Sequence, residues 1–276
     1  MDTPPDTAAI ECSACADWNQ DRAPFRLHGS SYFVGVEGLS VVAIGTGAGL
    51  VLIDAGLPQS VPVIERHLAT LGFTLGDVRY VLNSHAHFDH AGGIAAIARR
   101  TGATVVASAL GAKALQSGRA LPEDPQHGYG DDMNFPPVTG PIKVLADGET
   151  LRLGTLTLRM IATPGHTPGG SSWTWESCEA GDCRQLVFAD SLNPVSAPGF
   201  RYGPGDGARM GEFRASVAAV AALDCDLMVS AHPSQSQLFE REAAGQLLEP
   251  GACAAYARDA GLRLDARARE EESRLP

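Results

Sequence analysis

Residues Asn83–Gly93 read NSHAHFDHAGG, and this stretch sets the interpretation of the whole chain. Three of the chain's eight histidines, His85, His87 and His90, fall within six residues, together with Asp89. Residues i and i+2 of an extended segment point the same way, so His85 and His87 are placed to grip one metal ion together. Asp89 and His90 follow after the chain turns, and form a pair for a second, adjacent ion. The preceding RYVLNS reads as a short buried strand. Gly92 and Gly93 would let the backbone pass close to the ions and open the helix GGIAAIARRTG, which ends at Gly102. A surface histidine run would explain neither the strand nor the glycines.

Two other stretches supply the missing ligands. TPGHTPGG places His166 in a Pro/Gly-rich turn after a strand, and VSAHPS places His232 at a strand end. Either alone would read as a satisfied loop histidine. Beside the first cluster they complete two sets, His85, His87 and His166 for a first zinc and Asp89, His90 and His232 for a second. Three protein ligands with an open position is the catalytic pattern, whereas four closed ligands would be structural. Two zinc ions about 3.5–4 Å apart lower the pKa of a shared water, generating a hydroxide nucleophile without any Ser or Cys. Asp89 is placed to orient that hydroxide. His67, His28 and His127 read as ordinary histidines, with His127 in reach of a substrate.

The rest of the chain reads as strands and a helix, twice. SYFVGV, LSVVAIG and LVLIDAG are strand-like, residues 60–71 have helical apolar spacing, and ATVVAS is a further strand. IKVLA, TLRLG, LTLRMIA, SSWTW and QLVFAD follow. A helix is expected at about 208–223, then the strand DLMVSA, a C-terminal helical region and the charged tail ARAREEESRLP. This order implies an α/β fold of two sheets packed face to face with helices outside. Residues 1–24 read as an irregular arm, and 25–276 as a single domain. Residues 118–141, GRALPEDPQHGYGDDMNFPPVTGP, form a long Gly/Pro/Asp-rich stretch of the kind that is functional when present in a compact domain.

Composition narrows the function. A net charge of −11 argues against nucleic acid, whose phosphates need Lys/Arg neutralisation. No run of about 18 apolar residues exists, so no membrane-spanning helix is expected. Six cysteines, an even count, suit an oxidised protein, though the sequence leaves the connectivity open. Cys178 and Cys183 flank a turn and suit a hairpin closure. Cys12 and Cys15 form C-x-x-C without a thioredoxin-like βαβ context or a second zinc-ribbon pair; a disulfide is the favoured reading there and reduced thiols the alternative. Disulfides imply export. The N-terminus shows neither a basic nor an apolar leader region, so either a signal peptide has been removed or the protein stays in the cytoplasm; the cysteines favour a periplasmic protein.

HAHFDH, TPGHT and the late SAHP, in that order over nearly the whole chain, resemble the metallo-β-lactamase superfamily; LVLIDAG fits as well. The resemblance implies an αββα sandwich of two mixed sheets, and places Asp54 near the metals, holding a ligand histidine. Glyoxalase II and lactonase relatives carry an Asp that bridges both metals where this chain has VFADSL. The Asp-Ser-Leu form, the H-x-H-x-D-H form and the absence of a ligand cysteine look like subclass B3 metallo-β-lactamases. That likeness puts Asp190 behind the ligands, and Ser191 beside the second zinc, holding the substrate carboxylate with help from Asn193. It also implies a Cys225–Cys253 bridge and an extra disulfide hairpin at Cys178–Cys183. Tyr129, Met133 and Phe135 become candidate apolar contacts along a substrate groove. The function so implied is a dizinc β-lactamase, acting as a monomer on penicillins, cephalosporins and carbapenems and conferring antibiotic resistance. The alternative is a thioester or lactone hydrolase of the same fold, favoured if Asp190 bridges the metals. A non-catalytic zinc-binding protein has no support from the sequence.

Overall fold

The computed structural model describes residues 5–203 and 207–274. Its first sheet runs in chain order: β1 (Phe25–His28), β2 (Ser31–Phe33), β3 (Val42–Thr46), β4 (Gly49–Ile53), β5 (Val78–Leu82), β6 (Thr104–Ala107) and β7 (Ile142–Val144). Pairing is antiparallel from β1 to β4 and parallel from β4 to β7. The second sheet is β8 (Thr150–Leu153), β9 (Leu156–Ala162), β10 (Ser171–Glu179), β11 (Asp182–Ala189) and β12 (Leu227–Ser230), with only β11 and β12 parallel. Both sheets are therefore mixed, as expected.

Alternation along the strands builds the layers, because successive side chains face opposite sides of a sheet. Val42, Ile44, Val51 and Ile53 meet Leu158, Trp173, Leu186 and Phe188 between the sheets. The intervening Ala43, Leu50 and Leu52 face outward under α2 (Val61–Thr70), α4 (Ile94–Thr101) and α5 (Ala109–Ser117). On the far side, Val187, Ala189 and Met228 pack under α6 (Gly207–Ala221) and α8 (Ala252–Ser273). The result is helix, sheet, sheet, helix. Each fully buried Leu, Ile or Phe contributes about 1.5–3 kcal/mol.

Some expectations change. Residues 109–117, outside the expected elements, form α5, capped by Ser108 Oγ accepting from Gly111 N–H and ended by Gly118 at φ 66°. The charged tail is not a tail: α8 runs through it to Ser273, supported by the Arg267–Glu271 pair with Glu271 buried. The arm contains a helical turn, α1 (Cys15–Trp18), and packs on the body through Ile10, Cys12 and Trp18. Gly92 and Gly93 serve packing rather than the ions. A Cβ on Gly93 would come within 2.4 Å of the Ala55 carbonyl, and one on Gly92 within 2.6 Å of Pro58.

All six cysteines are paired, as Cys12–Cys15, Cys178–Cys183 and Cys225–Cys253. The second closes the β10–β11 hairpin, where the two residues face each other in register. The third ties the approach to β12 to the start of α8. Among the described residues no helix is long and apolar enough to cross a membrane.

Candidate metal centre

The C-terminal ends of β4, β5, β9, β11 and β12 meet at one rim of the sandwich, and each delivers a polar residue there. After β4 comes Asp54, whose φ of 61° is left-handed, a conformation Asp tolerates better than most residues. Its carboxylate accepts from Ser84 N–H at 2.7 Å and from Ser84 Oγ at 2.5 Å, pinning the turn after β5. That turn carries His85 and His87, and α3 (Phe88–Ala91) then presents Asp89 and His90. His166 follows β9, Asp190 and Ser191 follow β11, and His232 follows β12.

The donor atoms of His85, His87 and His166 lie within 4.8 Å of one another, all buried. The second set is tighter. His90 Nε2 lies 3.3 Å from Asp89 Oδ2 and 3.3 Å from His232 Nε2, and His232 Nε2 lies 3.4 Å from Asp89 Oδ2. A tetrahedral zinc with bonds of about 2.0–2.1 Å holds its ligand atoms roughly 3.3–3.4 Å apart. His85, Asp89 and His90 also converge within 4.8 Å, so the two sets adjoin.

The outward nitrogens argue for the same chemistry. A metal-binding histidine needs its other ring nitrogen held, which fixes tautomer and orientation. His166 Nδ1 donates to the Asn193 carbonyl at 2.8 Å, and His232 Nδ1 to the Gly38 carbonyl at 3.0 Å. A carbonyl only accepts, so in both rings Nε2 is left free for a metal. His85 Nδ1 contacts Asp190 Oδ1 at 2.8 Å, and His87 Nε2 contacts Asp124 at 3.1 Å. His90 Nδ1 lies 3.6 Å from Asp54, an electrostatic contact longer than a hydrogen bond. The donor set, its spacing and its buttresses thus all fit a pair of zinc ions.

Electrostatics separate the sets in the metal-free protein. Burial holds His85 well below the ordinary imidazole range, reinforced by the neighbouring histidines. Burial and His87 bring His166 down to about 3. His90 behaves oppositely: burial opposes its charge, but Asp89 and Asp54 win and raise it to about 10. Burial would raise Asp89, yet His90 and His232 hold it well below the carboxylate range. Burial pushes Asp190 well above that range.

Asp190 stands behind His85, on the imidazole's Nδ1 side, and belongs to neither group of converging donors. Ser191 is buried, and its hydroxyl has no hydrogen-bond partner within the protein. Asn193 contributes its backbone carbonyl to His166. Two of the groove candidates need correction. Phe135 is buried in the core beneath α4 and α5, and Met133 is equally buried, so both anchor their loop rather than wall a groove. Tyr129 is 40 % exposed, with its hydroxyl donating to the Ser196 carbonyl at 2.8 Å. His127 bonds within the loop, to the Ala120 carbonyl. His67 is buried between the Val34 carbonyl and Asp21.

Sequence reasoning missed two residues of the 118–141 stretch. Asp124, buried, orients His87, and the His87 charge outweighs burial to lower its pKa. Gln126 points its amide at the open nitrogens of the first set, 3.4 Å from His87 Nδ1 and 3.5 Å from His166 Nε2. The available signal was Asp124-Pro125, a turn-forming pair. Asp124 Oδ1 accepts from Gln126 N–H, the two-residue reach typical of such turns.

The model of the metallo-beta-lactamase superfamily matches residues 34–232, and the chain belongs to that superfamily. It is 32% identical over 215 residues to a hydroxyacylglutathione hydrolase of Anaeromyxobacter dehalogenans, covering 78% of this chain and 68% of that protein. Among solved structures it is similar to MEM-A1, a subclass B3 metallo-beta-lactamase isolated from a soil metagenome library. That match has a TM-score of 0.89 and 44% identity, and covers 94% of this chain and all of the other. The Rm3 metallo-beta-lactamase gives a TM-score of 0.90 at 44% identity, covering 95% and 99%. The chain is thus a hydrolase of this superfamily whose structural neighbours are subclass B3 enzymes.

Proposed function

We propose that this superfamily member is a dizinc β-lactamase of the B3 kind, opening the lactam amide bond of penicillins, cephalosporins and carbapenems. The observation that carries the reading is the position of Asp190. Its carboxylate backs His85, whereas a thioester or lactone hydrolase of this fold would need it between the ions. The full-length likeness to B3 enzymes supports the same choice. The 32% identity to a hydroxyacylglutathione hydrolase keeps thioesters as the second reading. Conferring antibiotic resistance, acting as a monomer and working in the periplasm belong to the proposal. Three disulfides support the last.

His85, His87 and His166 would hold one zinc, and Asp89, His90 and His232 the other. When bound, such ions polarise the attacked carbonyl and supply a water-derived nucleophile at neutral pH. Asp89 is the one carboxylate among the six ligands and is placed to accept a hydrogen bond from the attacking water, setting its direction. The Gln126 amide, beside His87 and His166, is placed to donate to the lactam oxygen. The unpartnered Ser191 hydroxyl is suited to the substrate carboxylate.

The test is to mix the purified protein with a carbapenem and follow loss of ring absorbance with and without a zinc chelator. Chelator-sensitive loss is expected. Stable absorbance in a sample holding two zinc ions would overturn the β-lactamase reading in favour of thioesters and lactones.

A further inference from the structure

His85 and His166 are held by Asp190 and Asn193, which follow β11, and His87 by Asp124 of the 118–141 loop. His232 differs, since its support is the Gly38 carbonyl between β2 and β3, a point on which the N-terminal arm packs. Its Nδ1 donates to the Gly38 carbonyl at 3.0 Å. Gly38 is held in turn: its own N–H donates to the Trp18 carbonyl at 2.9 Å, and the neighbouring Glu37 N–H donates to the Gln20 carbonyl. The Trp18 indole lies 5.2 Å from the His232 ring, tilted 52°. Gly38 and Trp18 fit so closely that a Cβ on residue 38 would come within 2.3 Å of the indole and 2.7 Å of the Trp18 Cα. Trp18 therefore touches the ligand twice, through its ring and through Gly38.

The arm is braced for that task. Cys12–Cys15 closes the turn that leads into α1, and Cys15 is buried. Asn19 Oδ1 accepts from Ser60 Oγ at 2.5 Å, and Asp21 contacts the buried His67 at 2.8 Å. The Asn19 and Asp21 bonds tie the chain to the body just after Trp18, and the buried Cys15 packs just before it.

We propose that Trp18 is a positioning residue for the second metal, fixing His232 through Gly38 and so setting the affinity of that site independently of the first. The inference rests on the two-metal reading above. Groups that orient a ligand histidine typically account for 10–100-fold in metal affinity. The His85, His87 and His166 set makes no contact with the arm among the described interactions, so its affinity has no reason to move.

The experiment is equilibrium dialysis of the full chain against graded free zinc, with zinc content read by mass spectrometry and the thermal midpoint of the metal-free protein measured alongside. Trp18→Ala is expected to lose the second ion at roughly 10–100-fold higher free zinc than the parent, while the first is retained as before. Trp18→Phe, which restores a ring against His232, is expected to recover most of the loss. Gly38→Ala reaches the same point from the other side, by pushing the indole away, and is expected to show the same selective weakening. Both zinc affinities unchanged in Trp18→Ala and Gly38→Ala would overturn the assignment. So would the two affinities falling together with the metal-free midpoint, because that marks a purely structural arm. A parent protein that binds one ion only would remove the two-metal reading, and this inference with it.

Discussion

The two ligand sets lie side by side, yet they are built on different principles. The first is three imidazoles without a carboxylate among them, with His85 and His166 kept neutral by burial, and all three held by Asp190, Asp124 and a carbonyl that the protein places around them. The second carries its own carboxylate and balances it internally, with His90 and His232 against Asp89. The first set is thus a cage of imidazoles with no acid of its own, whereas the second already contains an ion pair that a metal must displace. The difference teaches where each set is vulnerable. The first depends on its orienting groups, the second on proton balance and on the arm.

Four measurements break or sharpen that contrast. The largest effect is expected from His166→Ala, which removes a third of the first cage and should abolish its zinc and cut turnover a hundredfold or more, given that metal polarisation is worth several kcal/mol. Zinc content and carbapenem turnover check it together, and full zinc at full rate would remove His166 from the site. Next, Asp124→Ala should weaken the first zinc by roughly 10–100-fold and spare the second. Competition with a chelator reads this, and equal losses at both sites would erase the distinction drawn above.

A proton count comes third. In the metal-free protein His90 stays charged up to about 10, while His166 stays neutral down to about 3. At pH 7 the second zinc should therefore release about one proton from His90, and the first should release none from His166. Calorimetry in buffers of different ionisation enthalpy gives the count, and equal release at both steps would contradict it. The same shifts fix the pH dependence of the metal-free fold. The raised His90 contributes stability that is full below its unfolded value of about 6.5 and is lost as pH rises through about 10. The depressed His166 works the other way, costing stability progressively as pH falls from about 6.5 towards 3. The smallest effect is expected from Ser191→Ala, a several-fold rise in KM with kcat little changed, as fits a contact that holds substrate. Steady-state kinetics decide it, and an unchanged KM would take Ser191 out of the binding site.

Much of this was legible in the chain, because its strongest signals are local. The His85–His90 spacing, the strand before it and the glycines after it sit in one short window, and His166 and His232 each end a strand. Strand alternation revealed the layered fold for the same reason. What stayed hidden depends on long-range placement. Nothing about Asp124 or Gln126 announces that a Pro-rich loop folds back over the histidines, and nothing about Phe135 says that it turns inward. The charged end of α8 misled because i,i+4 pairing and one buried glutamate make a helix from residues that read as a solvated tail.

The bond between His232 and Gly38 also bears on how the protein is made. It spans 194 residues, and the His90–His232 contact spans 142. Contacts this distant in sequence bear the largest loop-closure entropy and tend to form late. The first cage needs nothing beyond Asn193, but the second cannot close until β12 has joined the sheet and its end has met the β2–β3 connection. A filled second site is in this sense a certificate that both sheets are in place, issued only to a chain in which residues 38 and 232 have found each other.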